Sequence, residues 1–137
     1  MKTRRKPDWL KIQLPKGDDY AYVNGIVKEN GLHTICSSGK CPNVGECWGN
    51  GTATFMILGN ICTRACKFCN VPTGKPLEAD WKEPKRLARS IKLMSLKHAV
   101  ITSVDWDDLE DGGSGIWAET IKCIKDNTPE NTHEVLI

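Results

Sequence analysis

No apolar run in this sequence is long enough to cross a membrane as a helix, which argues against a membrane partner. Net charge is scarce as well. Nineteen Lys and Arg residues against 17 Asp and Glu leave only +2, and the basic residues form no common face. That balance excludes the electrostatic footprint of a nucleic-acid-binding protein. An export signal is also lacking. The opening Met1-Lys-Thr-Arg-Arg-Lys6 is basic, but Pro7-Asp8-Trp9 follows where a signal peptide needs an apolar run. Cysteine, by contrast, is abundant: there are 7 in 137 residues. An odd number without an export signal fits a secreted disulfide scaffold poorly and fits metal ligation in a reducing compartment well. The expected location is the cytoplasm. At this length the chain makes one domain at most, large enough to bury a core.

Three of the thiols fall in Cys62-Thr-Arg-Ala-Cys66-Lys-Phe-Cys69, a C-x3-C-x2-C spacing. Thiolates suit iron–sulfur clusters, zinc or copper(I). A cubane cluster held by three cysteines keeps one iron open, and an open metal position is where substrate chemistry occurs. The segment Thr52-Ala-Thr-Phe-Met-Ile-Leu58 is β-branched and apolar and ends at Gly59-Asn60, so it reads as a buried strand feeding the thiol loop.

Three more thiols precede them in Cys36-Ser-Ser-Gly-Lys-Cys41-Pro-Asn-Val-Gly-Glu-Cys47, spaced C-x4-C-x5-C. Gly39, Pro42, Asn43 and Gly45 predict a chain of tight turns, suited to wrapping a backbone around a small inorganic body. A zinc knuckle is the competing reading, although this group lacks the close pair and fourth ligand that zinc sites usually show. His33 could supply a fourth ligand, but it reads better as a packing or surface residue.

The rest of the pattern predicts a parallel α/β unit. Residues 1–17 read as an extended arm broken by Pro7, Pro15 and Gly17, with Trp9, Leu10, Ile12 and Leu14 free to lie across another surface. A short helix is expected over Asp18–Asn30, and Leu32–Cys36 reads as extended. Beyond the loop Val71–Pro76, Glu83–Met94 predicts an amphipathic helix with Pro84 in its first turn and Leu87, Ile91 and Met94 on one face. His98–Thr102 reads as a second strand, followed by a polar loop to Gly115. A helix then carries Trp117, Ile121 and Ile124 on one face, and Glu134–Ile137 begins a third strand. Cys123 falls outside both triads and off that face. Strand, helix, strand, helix, strand is the rhythm of a parallel sheet, with its site at the strands' C-terminal ends.

C-x3-C-x2-C after a first strand resembles the signature of the radical S-adenosylmethionine (SAM) enzymes. With C-x4-C-x5-C fifteen residues upstream, the chain resembles one branch of them, the lipoyl synthase family. Pro7-Asp-Trp-Leu-Lys11, Leu32-His-Thr-Ile-Cys36, Cys41-Pro-Asn-Val-Gly-Glu-Cys47-Trp48 and Ile101-Thr-Ser-Val-Asp105 through Gly113 carry the same likeness. The resemblance implies the N-terminal portion of a partial (β/α) barrel over 51–137, preceded by a cysteine-rich extension over 1–50. It implies two 4Fe–4S clusters. One, on Cys62, Cys66 and Cys69, would bind SAM, and the other, on Cys36, Cys41 and Cys47, would donate sulfur. Phe68 would lie beside the adenine, and Thr102, Ser103, Asp105 and Asp107 would help receive the ammonium end of SAM. The reaction implied is radical insertion of two sulfur atoms, at carbons six and eight, into an octanoyl chain on a carrier-protein lysine.

The partners implied are octanoylated lipoyl domains of 2-oxoacid dehydrogenases, the glycine-cleavage H protein, and an electron donor such as flavodoxin or ferredoxin. A different sulfur-inserting radical SAM reaction, or a non-catalytic cluster or zinc module, is the alternative. Two departures from the family stand out. Trp106 occupies a position where the family usually has Arg. The chain also stops inside its third strand, before the family's C-terminal serine ligand, so the 137 residues alone are expected to be inactive.

Overall fold

The computed structural model describes residues 5–12, 14–15 and 17–137. The first four residues of the basic opening, and positions 13 and 16 of the arm, lie outside them. Within the arm, Asp8–Leu10 forms a single 3-10 turn. The Leu10 amide donates to the Pro7 carbonyl at 3.0 Å, a turn that the fixed φ of Pro7 favours. Trp9, Leu10, Ile12 and Leu14 remain exposed rather than covering another surface.

Helix α1 runs Asp18–Glu29 and buries Val23, Ile26 and Val27, close to expectation. Strand β1 is only His33–Thr34. The extension expected through Cys36 stops there because the Thr34 hydroxyl accepts the Ser37 N–H at 3.2 Å. This cap starts a one-turn helix, α2, over Ile35–Ser38, so Cys36 is helical. The turns expected up to Cys47 likewise give way to α3, Val44–Gly49. Its Trp48 is buried and stacks on Tyr20 with ring centroids 5.3 Å apart.

Strand β2, Thr52–Ile57, is the centre of the molecule. β1 pairs with it antiparallel on one side. On the other, β3 (His98–Ser103) runs parallel in the register Thr52↔His98 to Ile57↔Ser103. Strand β4 (Thr132–Val135) then pairs parallel with β3, giving the order β1-β2-β3-β4. β4 begins two residues before the expected Glu134, because Thr132 is already opposite His98.

Helix α4 (Glu83–Leu93) links β2 to β3, and α5 (Ser114–Asn127) links β3 to β4. Parallel strands taken in chain order, with right-handed crossovers, put both helices on one face of the sheet. There α4 and α5 pack on each other. Ala53, Phe55, Ile57, Ala99 and Ile101 alternate along the strands onto the helix face, and all are buried. Thr54, Met56, Val100 and Thr102 share the opposite face, which carries no helix of this α4–α5 layer.

Helix α5 corrects two expectations. Its buried residues are Ile116, Thr120, Cys123 and Ile124, while Trp117 and Ile121 stay half-exposed. The buried face is turned because α5 packs against both the sheet and α4. Cys123 is therefore 9% exposed and part of the core rather than off the apolar face.

The entry to α4 is held by Asp80, whose carboxylate accepts the Lys82 amide at 2.9 Å and Arg86 Nη1 at 2.8 Å. The hydrogen bond from Arg86, and then that from Lys82, holds the Asp80 carboxyl below its ordinary value. A depressed carboxyl stabilises the fold above its unfolded pKa, and that contribution disappears as pH falls through the folded one. Asp80→Asn is expected to lose at most about 1 kcal/mol at neutral pH, and progressively less towards acid. Urea midpoints measured across the acid range check this, and a pH-independent gap would refute it.

Candidate metal centre

The Cys62–Cys69 loop leaves the C-terminal end of β2 and closes on itself. The Cys62 amide donates to the Pro72 carbonyl and the Gly74 amide to the Cys62 carbonyl, both at 2.9 Å, forming a bridge with Thr73. The Cys69 amide turns back to the Cys66 carbonyl at 3.0 Å. Cys62 is thus half-buried at the loop's base, while Cys66 and Cys69 stand exposed at its tip. Phe68, between them, is 94% exposed.

Two backbone amides point at the Cys62 sulfur: Asp105 N at 3.3 Å and Arg64 N at 3.5 Å. Both amides fix the position of that sulfur at the base of the loop. The loop after β3 is clamped to the thiol loop at the same point. The Thr63 hydroxyl donates to Asp107 Oδ2 at 2.7 Å, and Arg64 Nη2 donates to Asp107 Oδ1 at 2.8 Å. The Asp105 carboxylate lies 3.7 Å from Arg64 Nε. Arg64, then Thr63, holds the Asp107 carboxyl below the usual carboxylate range. Asp107 therefore joins two loops, and Thr63 and Arg64 act with it. Neither stood out in the sequence, where they were two spacer residues between cysteines.

The first triad follows β1, which pairs with β2. Cys36 is buried on α2, with Cys41 and Cys47 half-buried before and within α3. The Cys41 amide donates to the Cys36 carbonyl at 3.0 Å. Burial pushes the Cys47 thiol up, and the neighbouring Cys36 and Cys41 thiols push it further. A thiol raised by two neighbouring thiols belongs to a donor set that a bound cation would relieve. His33 answers to different surroundings, its pKa lowered by burial and then by the Arg86 charge. Among the described residues, no three His, Cys, Asp or Glu side chains are gathered tightly enough to hold a single metal ion.

A cavity of about 170 Å³ opens at the C-terminal ends of β2 and β3. Cys62 and Cys69 line it with Thr102 and Ser103, and Ile35, Met56, Val71, Val104 and Leu136 make its apolar walls. The Thr102 hydroxyl donates to the Leu136 carbonyl at 3.1 Å, and the Ser103 hydroxyl accepts the Trp117 indole N–H at 3.3 Å. Two thiols of one triad therefore meet both residues of the Thr102–Ser103 pair. Trp106 is half-buried against the core at the rim of the same loop. The wall residues belong to five separate segments and carried no chemistry in the sequence.

No family model matches the chain. Individual proteins do. It is 61% identical over 132 residues to a lipoyl synthase of Flavobacterium johnsoniae, covering 96% of this chain and 46% of that protein. A protein named mitochondrial lipoyl synthase from Nematostella vectensis is 63% identical over 132 residues, covering 96% and 45%. The lipoyl synthase of Christiangramia forsetii is 60% identical over 138 aligned positions, covering 99% and 47%. Over nearly all of its length, the chain is thus about 60% identical in sequence to proteins named lipoyl synthase. It spans a little under half the length of the curated lipoyl synthases it matches. Among the described residues, no helix is long and apolar enough to cross a membrane.

Proposed function

We propose that this chain takes part in radical SAM-dependent sulfur insertion into a protein-bound octanoyl chain, the reaction by which a lipoyl group is made. The observation that carries the proposal is the cavity at the strand ends, where Cys62 and Cys69 of a C-x3-C-x2-C loop meet Thr102 and Ser103. The α/β unit over 51–137 is then the first part of a partial (β/α) barrel, with residues 1–50 as a cysteine-rich extension that contributes β1 to the same sheet.

The donor chemistry supports two 4Fe–4S clusters. Cys62, Cys66 and Cys69 would hold one, leaving an iron open to SAM, and Cys36, Cys41 and Cys47 would hold the other. When bound, these groups supply one-electron radical chemistry and the sulfur that the substrate takes up. The chain's own residues orient and protect. The amides of Arg64 and Asp105 position the Cys62 sulfur, and the Asp107–Arg64–Thr63 clamp sets the two loops against each other. Met56, Val71 and Val104 give the cavity apolar walls, poor in the hydrogen donors that would compete for a reactive centre. Phe68 offers an exposed ring to a purine, and the carbonyl- and hydroxyl-rich Thr102–Asp105 segment suits an ammonium group. Asp107 contributes through the clamp, its carboxylate being taken by Arg64.

The partners follow from the reaction. They are octanoylated lipoyl domains of 2-oxoacid dehydrogenases and of the glycine-cleavage H protein, with flavodoxin or ferredoxin as electron source, in the cytoplasm. Anaerobic reconstitution with iron and sulfide is expected to give the visible absorption of two clusters. Carried in a protein of the relatives' full length, the chain should then, with SAM, reductant and an octanoylated carrier domain, add two sulfur atoms to the carrier, read by mass spectrometry, whereas the 137 residues alone should add none. Zinc binding without visible absorption would support a structural metal module and overturn the proposal. Clusters that cleave SAM but leave the octanoyl group untouched would point to another sulfur-inserting reaction.

A further inference from the structure

Glu83 is the one buried carboxylate among the described residues, 5% exposed in the first turn of α4. Nothing in the proposed chemistry uses it. Its Oε2 accepts the backbone N–H of Leu58 at 2.9 Å, and the Gly59 amide also faces it. Leu58 is the first residue beyond β2 and has φ +66, a left-handed backbone that crowds the Cβ of an L residue. Its side chain is buried and packs where a Cβ on Gly113 would come within 2.6 Å of Leu58 Cδ1. Leu58 is thus held from two directions, by Glu83 at its amide and by the gap at Gly113 around its side chain. A bulky residue keeps such a conformation only where its surroundings over-determine it. Only Gly59, Asn60 and Ile61 separate it from Cys62.

We infer that Glu83 is a positioning residue for the Cys62–Cys69 loop. By holding the Leu58 amide from α4, it fixes the direction in which the chain leaves β2 and so places the three thiols over the strand ends. This inference rests on the reading that both triads hold clusters, and its test separates the two. Two parent proteins are needed, one with Cys36, Cys41 and Cys47 replaced by Ala and one with Cys62, Cys66 and Cys69 replaced. Each is reconstituted anaerobically, and iron content, visible absorption and resistance to a chelator are measured beside the thermal midpoint.

Glu83→Ala leaves a buried N–H unsatisfied, and it is expected to cut iron retention roughly tenfold in the parent keeping Cys62, Cys66 and Cys69. The parent keeping Cys36, Cys41 and Cys47 should be unchanged. Glu83→Gln retains an acceptor oxygen and should restore most of the loss. Equal losses in both parents would make Glu83 a general stability residue and overturn the inference, as would no loss in the first. A first parent that forms no iron–sulfur absorption, before any change at Glu83, would overturn the cluster reading itself and this inference with it.

Discussion

In a protein of the relatives' full length, Cys41→Ala is expected to leave reductive SAM cleavage intact while abolishing sulfur insertion, whereas Cys62→Ala should abolish both. The two triads belong to separate elements, one on α2 and α3 and the other on the loop beyond Ile57. A ligand lost from one need not disturb the other. Cys62 also has more to lose than its neighbours, since two backbone amides are committed to its sulfur. Replacing an outer partner of a metal ligand already costs roughly 10–100-fold, so removing a ligand outright should cost at least about a hundredfold. The measurements are 5′-deoxyadenosine release and the mass of the carrier-bound acyl group, each with the six single Cys→Ala variants. Lipoyl product from Cys41→Ala would show that the first triad is not the sulfur donor. SAM cleavage surviving Cys62→Ala would remove the loop from the radical step.

The largest stability effect is expected at Phe55. It lies in the middle of β2, fully buried on the helix face, between paired strands and beneath the α4–α5 layer. Phe55→Ala removes a ring from a site whose neighbours are fixed by sheet register and helix packing, so the space cannot easily close. The expected cost is roughly 3–5 kcal/mol. A domain with about 5–15 kcal/mol in total would keep little of its stability. Lys92→Ala, on an exposed position of α4, should stay within about 0.5 kcal/mol as a control. Chemical denaturation measures both. A Phe55→Ala loss near that of the control would contradict a core centred on β2.

Much of this arrangement was legible in the chain because it rests on local or periodic signals. The strand over Thr52–Ile57 showed in its β-branched, apolar run. The bounds of α4 followed from Pro84 and the spacing of Leu87 and Ile91. Both thiol groups are contiguous motifs that no tertiary contact needs to complete. Where expectation failed, a side-chain cap or a packing contact had intervened. The Thr34 hydroxyl ended β1 and made Cys36 helical, and the contact between α5 and α4 turned the buried face towards Cys123.

The sequence by itself determined where the thiols cluster along the chain and in what order strands and helices follow one another. Spacing and periodicity are properties of neighbours along the chain. Tertiary structure alone decided what surrounds those thiols. Ile35, Met56, Val104 and Leu136 come from α2, β2, the loop after β3 and the end of β4, and they become cavity walls only when the parallel register aligns the strand ends. Glu83 reads in the chain as an ordinary acidic residue opening a helix. Its role comes from lying against Leu58, 25 residues earlier, where burial turns one hydrogen bond into a constraint on the whole thiol loop.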